Sequence, residues 1–143
     1  LYLSGGVYLG GTGAANKLDD YEEGSGIPVV KYGTTTMSVA AGATDHYVKI
    51  GSLVTYLFEF QISNLNSGSG NFTLALPFAM MSSGYATGSV RIYNGEVVGN
   101  EFIAITSSSS TLDFRRNRNN TATDSINPTD AAYYFGSITY RTT

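Results

Sequence analysis

Leu53-Val54-Thr55-Tyr56-Leu57-Phe58-Glu59-Phe60-Gln61-Ile62 is the stretch that decides the fold. Val54, Tyr56, Phe58, Phe60 and Ile62 recur at every second position, and a β-strand places alternate residues on one face. Five large apolar side chains on one face need a core to cover them. The opposite face carries Leu53, Thr55, Leu57, Glu59 and Gln61 and is mixed. The same period extends along the chain. Phe72, Leu74, Leu76 and Phe78 alternate with Thr73, Ala75 and Pro77, predicting a strand over 72–78. Val90 and Ile92 oppose Arg91 and Tyr93, and Asn94-Gly95 after them predicts a tight hairpin, because both residues tolerate positive φ. Residues 102–106, 111–115 and 133–140 are further strands, and Ser/Gly/Asn turns such as Asn66-Ser67-Gly68-Ser69-Gly70 lie between them. No window carries a helical period. About eight short strands with frequent turns predict an all-β domain, a β-sandwich or jelly-roll-like fold.

Composition narrows the chemistry. The 143 residues are 42% hydrophobic, enough for a real core, and 13% charged, about half the usual ~25%. There is no cysteine, which removes disulfides, thiolate metal sites and cysteine nucleophiles. A Ser-His-Asp triad has only His46 to use. No run approaches ~18 apolar residues, so no membrane insertion is expected. The net charge of −3 argues against nucleic acid as a partner. The first Met is Met37, so a chain opening on Leu1 reads as a processed product or a piece of something longer. No signal peptide is visible, since a basic n-region is missing and Gly-Gly pairs interrupt the apolar stretch.

The N-terminal region differs from the rest. Leu1-Tyr2-Leu3-Ser4-Gly5-Gly6 is echoed by Val7-Tyr8-Leu9-Gly10-Gly11-Thr12. Each unit reads as a short strand closed by a glycine turn, and such units need stacked neighbours to bury their apolar sides. This predicts the last rungs of a fibrous shaft. Four of the chain's eleven acids then fall within residues 19–23. That run reads as a solvated linker, or as one helical turn capped by Asp19 and Asp20 and ending at Gly24. The expected organisation is a shaft end and acidic junction over 1–26, then a β-sandwich tip over 27–143.

Asn16-Lys17-Leu18-Asp19-Asp20-Tyr21-Glu22-Glu23-Gly24 resembles the shaft-to-tip junction of tail-fibre and related structural proteins of tailed bacteriophages. Three later segments share the resemblance in order and spacing from residue 13 to the C-terminus. They are Tyr47-Val48-Lys49-Ile50-Gly51-Ser52-Leu53-Val54, Leu76-Pro77-Phe78 and Phe135-Gly136-Ser137-Ile138-Thr139-Tyr140. The chain departs from the family at Ser25-Gly26-Ile27-Pro28, where Thr-Trp-Thr-Pro is usual. The chain has no Trp to pack at that junction. The resemblance implies a homotrimeric fibre end, located on the virion, with a β-sandwich in each protomer. It carries over no receptor-binding residues.

Several groups are candidates for chemistry. Paired acids suggest glycoside hydrolysis, but acids in an exposed run rarely hold the required ~5–9 Å geometry with one desolvated member. Caps, subunit contacts or solvation are the simpler readings. His46, beside Asp45 near a strand start, reads as an exposed turn residue; a metal there would need three copies on a symmetry axis. The polar loop over 116–128 follows Arg115 and holds Arg116, Arg118, Asn119 and Asn120. Planar guanidinium forks suit acidic groups of a surface polysaccharide, and the amides suit sugar hydroxyls. The alternative is a solvated loop, or arginines paired with Asp113 or Asp124 between chains. Of the eleven tyrosines, most are expected in the core and in subunit contacts; Tyr85, in a Ser/Gly loop, is the exposed candidate for stacking on sugar.

The expected function is adhesion without catalysis by the distal domain of a phage tail fibre. Its candidate receptor-binding residues are Tyr85, Arg115, Arg116, Arg118, Asn119 and Asn120, with no cofactor and no metal. The expected partners are two further copies of the chain, a host surface glycan or protein, and other virion proteins reached through the N-terminal shaft. Leu53, Leu57, Ile103 and Ile105 are apolar beyond the needs of a solvated face, which predicts subunit burial there. The alternative is a purely structural virion part, such as a head fibre or capsid decoration, with no receptor role.

Overall fold

The computed structural model describes residues 5–14, 17–18, 20–82, 86–95, 102–108, 110–116 and 124–142. Among them there is no α-helix, and all strand pairing is antiparallel. In chain order the strands are β1 (Val7–Tyr8), β2 (Lys17–Leu18), β3 (Tyr21–Gly26), β4 (Val30–Tyr32), β5 (Thr35–Thr36), β6 (Ser38–Val39) and β7 (Thr44–Ile50). They continue with β8 (Leu53–Asn64), β9 (Phe72–Ala75), β10 (Thr87–Tyr93), β11 (Phe102–Ser108), β12 (Thr111–Arg116), β13 (Asp124–Ser125) and β14 (Tyr133–Arg141). The protein is all-β, as the alternation predicts.

β1 and β2 form a small ladder of their own, with Val7 opposite Leu18. Gly6 and Gly10, which bracket β1, both take positive φ (82° and 84°), as the glycine-turn reading of this segment requires. The first repeat unit lies largely outside the described residues. The other strands join one sheet, in the order β3-β7-β8-β14-β10-β11-β12-β9-β4-β5, with β13 added on β12 and β6 on β8.

β8 organises this sheet. It pairs with β7 from Thr44↔Glu59 to Ile50↔Leu53, and with β14 from Tyr133↔Gln61 to Arg141↔Leu53. The turn from β7 to β8 uses Gly51 at φ 57°, which only a residue without Cβ adopts freely. Val54, Tyr56, Phe58, Phe60 and Ile62 are all buried. Four strands separate β8 from β9 along the sheet, yet the Phe60 and Phe72 rings lie 6.4 Å apart, edge to face. Phe58 meets Phe114 of β12 at 5.9 Å, also edge to face. The sheet therefore curls back upon itself and closes on a cluster of rings. Phe72 stacks on Phe114 at 4.1 Å, and Phe60 on Tyr134 at 5.1 Å. Gly136 makes room for this cluster: a Cβ there would come within 2.8 Å of both the Phe58 ring and the Ser89 carbonyl oxygen.

Three local expectations are corrected. The acidic run is neither a linker nor a helical turn. Residues 21–26 form β3, hydrogen-bonded along β7 from Tyr21↔Ile50 to Gly26↔Asp45. The large sheet thus begins at Tyr21, before the boundary expected at 26/27. The strand expected over 72–78 ends at Ala75, because Pro77 has no N–H to give to a ladder and Phe78 turns toward β14. The ladder does not take the register of an unbroken two-residue hairpin at Asn94-Gly95, which would place Ser89 opposite Asn100, whereas Ser89 faces Ile103; Asn94 keeps the expected positive φ, 57°, and residues 96–101 lie outside the described residues.

The two faces of β8 should respond differently to truncation. Phe60→Ala is expected to cost about 3–5 kcal/mol in urea unfolding, and Glu59→Ala on the outer face less than about 0.5. Equal losses would refute the assignment of faces.

Candidate functional site

Of the sequence-predicted site residues, Tyr85, Arg118, Asn119 and Asn120 lie outside the described residues, as does the middle of the polar loop. Arg115 and Arg116 are neighbours on β12, so their side chains leave opposite faces of the strand. Arg115 Nη2 is 3.5 Å from Asp113 Oδ2, and Arg116 Nε is 3.9 Å from Asp124 Oδ2. Both arginines are half-buried and each is matched by a carboxylate of its own chain, so the two do not converge on one surface. β13 extends the same arrangement, with Arg116 opposite Asp124. His46 is not a turn residue: it lies within β7, exposed, with Nε2 3.4 Å from Thr44 Oγ1. Among the described residues no three His, Asp or Glu side chains cluster as metal ligands would.

The four segments that carry the family resemblance meet in space. Asp20 accepts a hydrogen bond from Lys49 Nζ at 2.6 Å, and Glu22 accepts one from the Tyr47 hydroxyl at 2.9 Å. The hydroxyl end of the Tyr47 ring packs against Gly24, where a Cβ would stand 2.7 Å from the ring's Cζ. Its edge meets Phe78 at 5.0 Å, and Lys49 Nζ sits 5.8 Å from the same Phe78 ring. Phe78 is fixed in turn by Tyr140, whose hydroxyl donates to the Phe78 carbonyl at 3.1 Å. The acids of the run therefore fasten the edge strand. Glu22 and Glu23 leave opposite faces of β3, and Glu23 accepts from Tyr21 at 2.6 Å. They do not face each other across a shared substrate position.

These contacts hold the tyrosines neutral. Hydrogen bonds to Glu22 and Glu23 raise the Tyr47 and Tyr21 phenols above their ordinary range. Burial, then the hydrogen bond to Asp45, raises Tyr56 much further. Burial pushes Tyr140 up to about 12, against a smaller opposing effect of the Phe78 backbone.

The outer face of the sheet holds a second assembly. Antiparallel register puts Glu59, Phe135 and Arg91 in one row across β8, β14 and β10, and Gln61, Tyr133 and Tyr93 in the next. Residues directly opposite share a face, so these six side chains form one outward array. Tyr133 and Phe135 have nearly parallel rings (5°) with centroids 6.2 Å apart, and Tyr93 lies 6.1 Å from Tyr133. Tyr93 is 60% exposed. Arg91, Tyr93, Tyr133 and Phe135 line a shallow hollow of about 350 Å³. A neighbouring hollow of about 320 Å³, lined in part by Thr44, His46, Leu57 and Glu59, shares Phe135 with it. The same face exposes Leu53 and Leu57 (49% and 48%), with Ile50 and Tyr21 also exposed in the row that starts at Leu53. Sequence reasoning missed the ring array by assigning strand tyrosines to the core and to subunit contacts. The signal was parity. Tyr134, Ile138 and Tyr140 are buried, which turns the odd-numbered Tyr133 and Phe135 outward.

The fold defines an antiparallel all-β protein with an outward aromatic surface. Beyond that class, the chain matches no protein-family model, no curated protein and no solved structure.

Alkali should expose the buried phenols. A tyrosine whose pKa is raised by folding stabilises the native state below its unfolded value of 10.0, and loses that contribution as the pH rises through the folded value. Stability should therefore fall between pH 10 and about 12, with Tyr140 ionising late. Tyr140→Phe should flatten that fall. A phenolate titration in which every tyrosine ionises near 10 while the fold persists would contradict it.

Proposed function

We propose that this chain is the distal, non-catalytic adhesion domain of a tail fibre of a tailed bacteriophage. In this reading it is a homotrimer of β-sandwich protomers on the virion that grips a host-surface receptor, a polysaccharide. The observation that carries the proposal is the outer face of β7 and β8. Leu53 and Leu57 stand half exposed beside exposed Ile50 on paired strands, the kind of surface that subunits bury. The meeting of the four family-like segments around Phe78 adds support, because it gives residues far apart in sequence one shared structural task. The residues before Tyr21, which precede the large sheet, serve as the end of a shaft toward other virion proteins. The side chains of Val7 and Tyr8 on β1 are exposed, a surface that stacked rungs would cover.

Adhesion then works through avidity. Three copies of a weak site on one rigid end gain ~10²–10⁴ over a single site. A second reading, a structural virion component with no receptor role, is favoured by one observation: Arg115 and Arg116 are matched within their own chain.

Light scattering should give three times 15.2 kDa for the wild-type chain, and Leu53→Asp with Leu57→Asp should give a folded monomer. The wild type should adhere to host cells and be displaced by host polysaccharide. A wild-type monomer would refute the trimer, and a trimer that never adheres would select the structural reading.

A further inference from the structure

We infer that the outward array of Glu59, Gln61, Arg91, Tyr93, Tyr133 and Phe135 is a saccharide subsite that takes a sugar bearing an oxyanion. The inference rests on the adhesion reading and names the site and ligand chemistry within it. Three strands at ~4.8 Å spacing and two residues along each make a patch about 10 Å by 7 Å, the footprint of one or two sugar rings. The rings of Tyr133 and Phe135 stack in parallel (5°) with centroids 6.2 Å apart and give the patch an outward aromatic surface for the C–H groups of a pyranose. Tyr93, 60% exposed and tilted 54° to Tyr133, adds a second ring orientation to that surface.

The polar groups beside these rings match the rest of a sugar. Glu59 and Gln61 stand on the β8 side and accept or share the protons of hydroxyls. Arg91 stands on the β10 side, exposed, with no carboxylate at ion-pair distance among the described residues. In a chain of net charge −3, that cation is available to the two oxygens of a carboxylate or phosphate. The charge layout orients the ligand: its anionic group lies over Arg91 and its hydroxyls over Glu59, which repels the reverse placement. A second copy of the chain fits this patch less well. Its sheet face would bring the same Glu59 and Arg91 but no planar polyhydroxyl surface for the rings.

Isothermal titration calorimetry on the full chain tests the site with three oligosaccharides of equal length: uronate-bearing, phosphate-bearing and neutral. One or both anionic sugars should bind roughly tenfold tighter than the neutral one, and the pair identifies which oxyanion is preferred. Arg91→Gln should erase that difference. Tyr93→Ala should weaken all binding roughly tenfold while Tyr93→Phe retains it, and Tyr21→Ala elsewhere on the face should change nothing. Circular dichroism checks that each variant folds. Equal binding of neutral and anionic sugars with Arg91→Gln silent overturns the inference. So does a chain that adheres to cells but binds none of the three, which leaves the adhesion reading standing. Sugar binding by a chain that does not adhere to cells upholds the subsite and removes the adhesion reading. A change of solution mass in Tyr93→Ala overturns the inference in favour of a second copy as the occupant.

Discussion

The closure of one aromatic face governs this molecule. Val54, Tyr56, Phe58, Phe60 and Ile62 form a buried stripe on β8, and the sheet must curl until β9 and β12 bring Phe72 and Phe114 over it. Burial of apolar surface contributes about 25 cal/mol per Å², so rings of this size supply the largest single share of the driving force. They also add directional preference. Edge-to-face and stacked pairs coexist within a few ångströms, which fixes how far the sheet can turn. The outward ring array follows from that turn, because burying the even-numbered Tyr134, Ile138 and Tyr140 of β14 forces Tyr133 and Phe135 outward.

Rings seated over glycines are the second device. Phe58 occupies the space above Gly136, and Tyr47 the space above Gly24. In both places a bare backbone lets an aromatic side chain of the neighbouring strand approach closely, so a residue that weakens a strand by itself makes room for packing. The Tyr47–Gly24 contact then recruits Glu22 and Phe78, and through Phe78 the C-terminal strand. Backbone closeness here links the first strand of the large sheet to the last.

What was legible in the sequence follows from this physics. β8 announced itself because five large side chains on one face leave little ambiguity. The acidic strand β3 did not, because Tyr-Glu-Glu-Gly-Ser-Gly has no apolar period. Its stability comes from a ladder to β7 and from Asp20–Lys49, partners 19 to 29 residues away that no local pattern encodes. The simple two-residue register expected from Asn94-Gly95 is not the one β10 and β11 take, because a dipeptide sets only a local preference, whereas β10 is also paired along β14. The ring array was written in plain alternation. It was overlooked because tyrosine abundance was read as core and contact, and Arg115 and Arg116 drew attention through charge that their own chain neutralises.

The ends of the large sheet have a consequence for assembly. One border strand, β3, carries Glu22, Glu23 and two glycines, and the other, β5, is only two residues long. Neither offers the long, flat, uncharged hydrogen-bonding border on which a foreign strand templates itself. Copies of this chain are thereby steered away from open-ended stacking border to border, the route to fibrillar precipitate. At these two borders the sheet gives a foreign strand little to pair with.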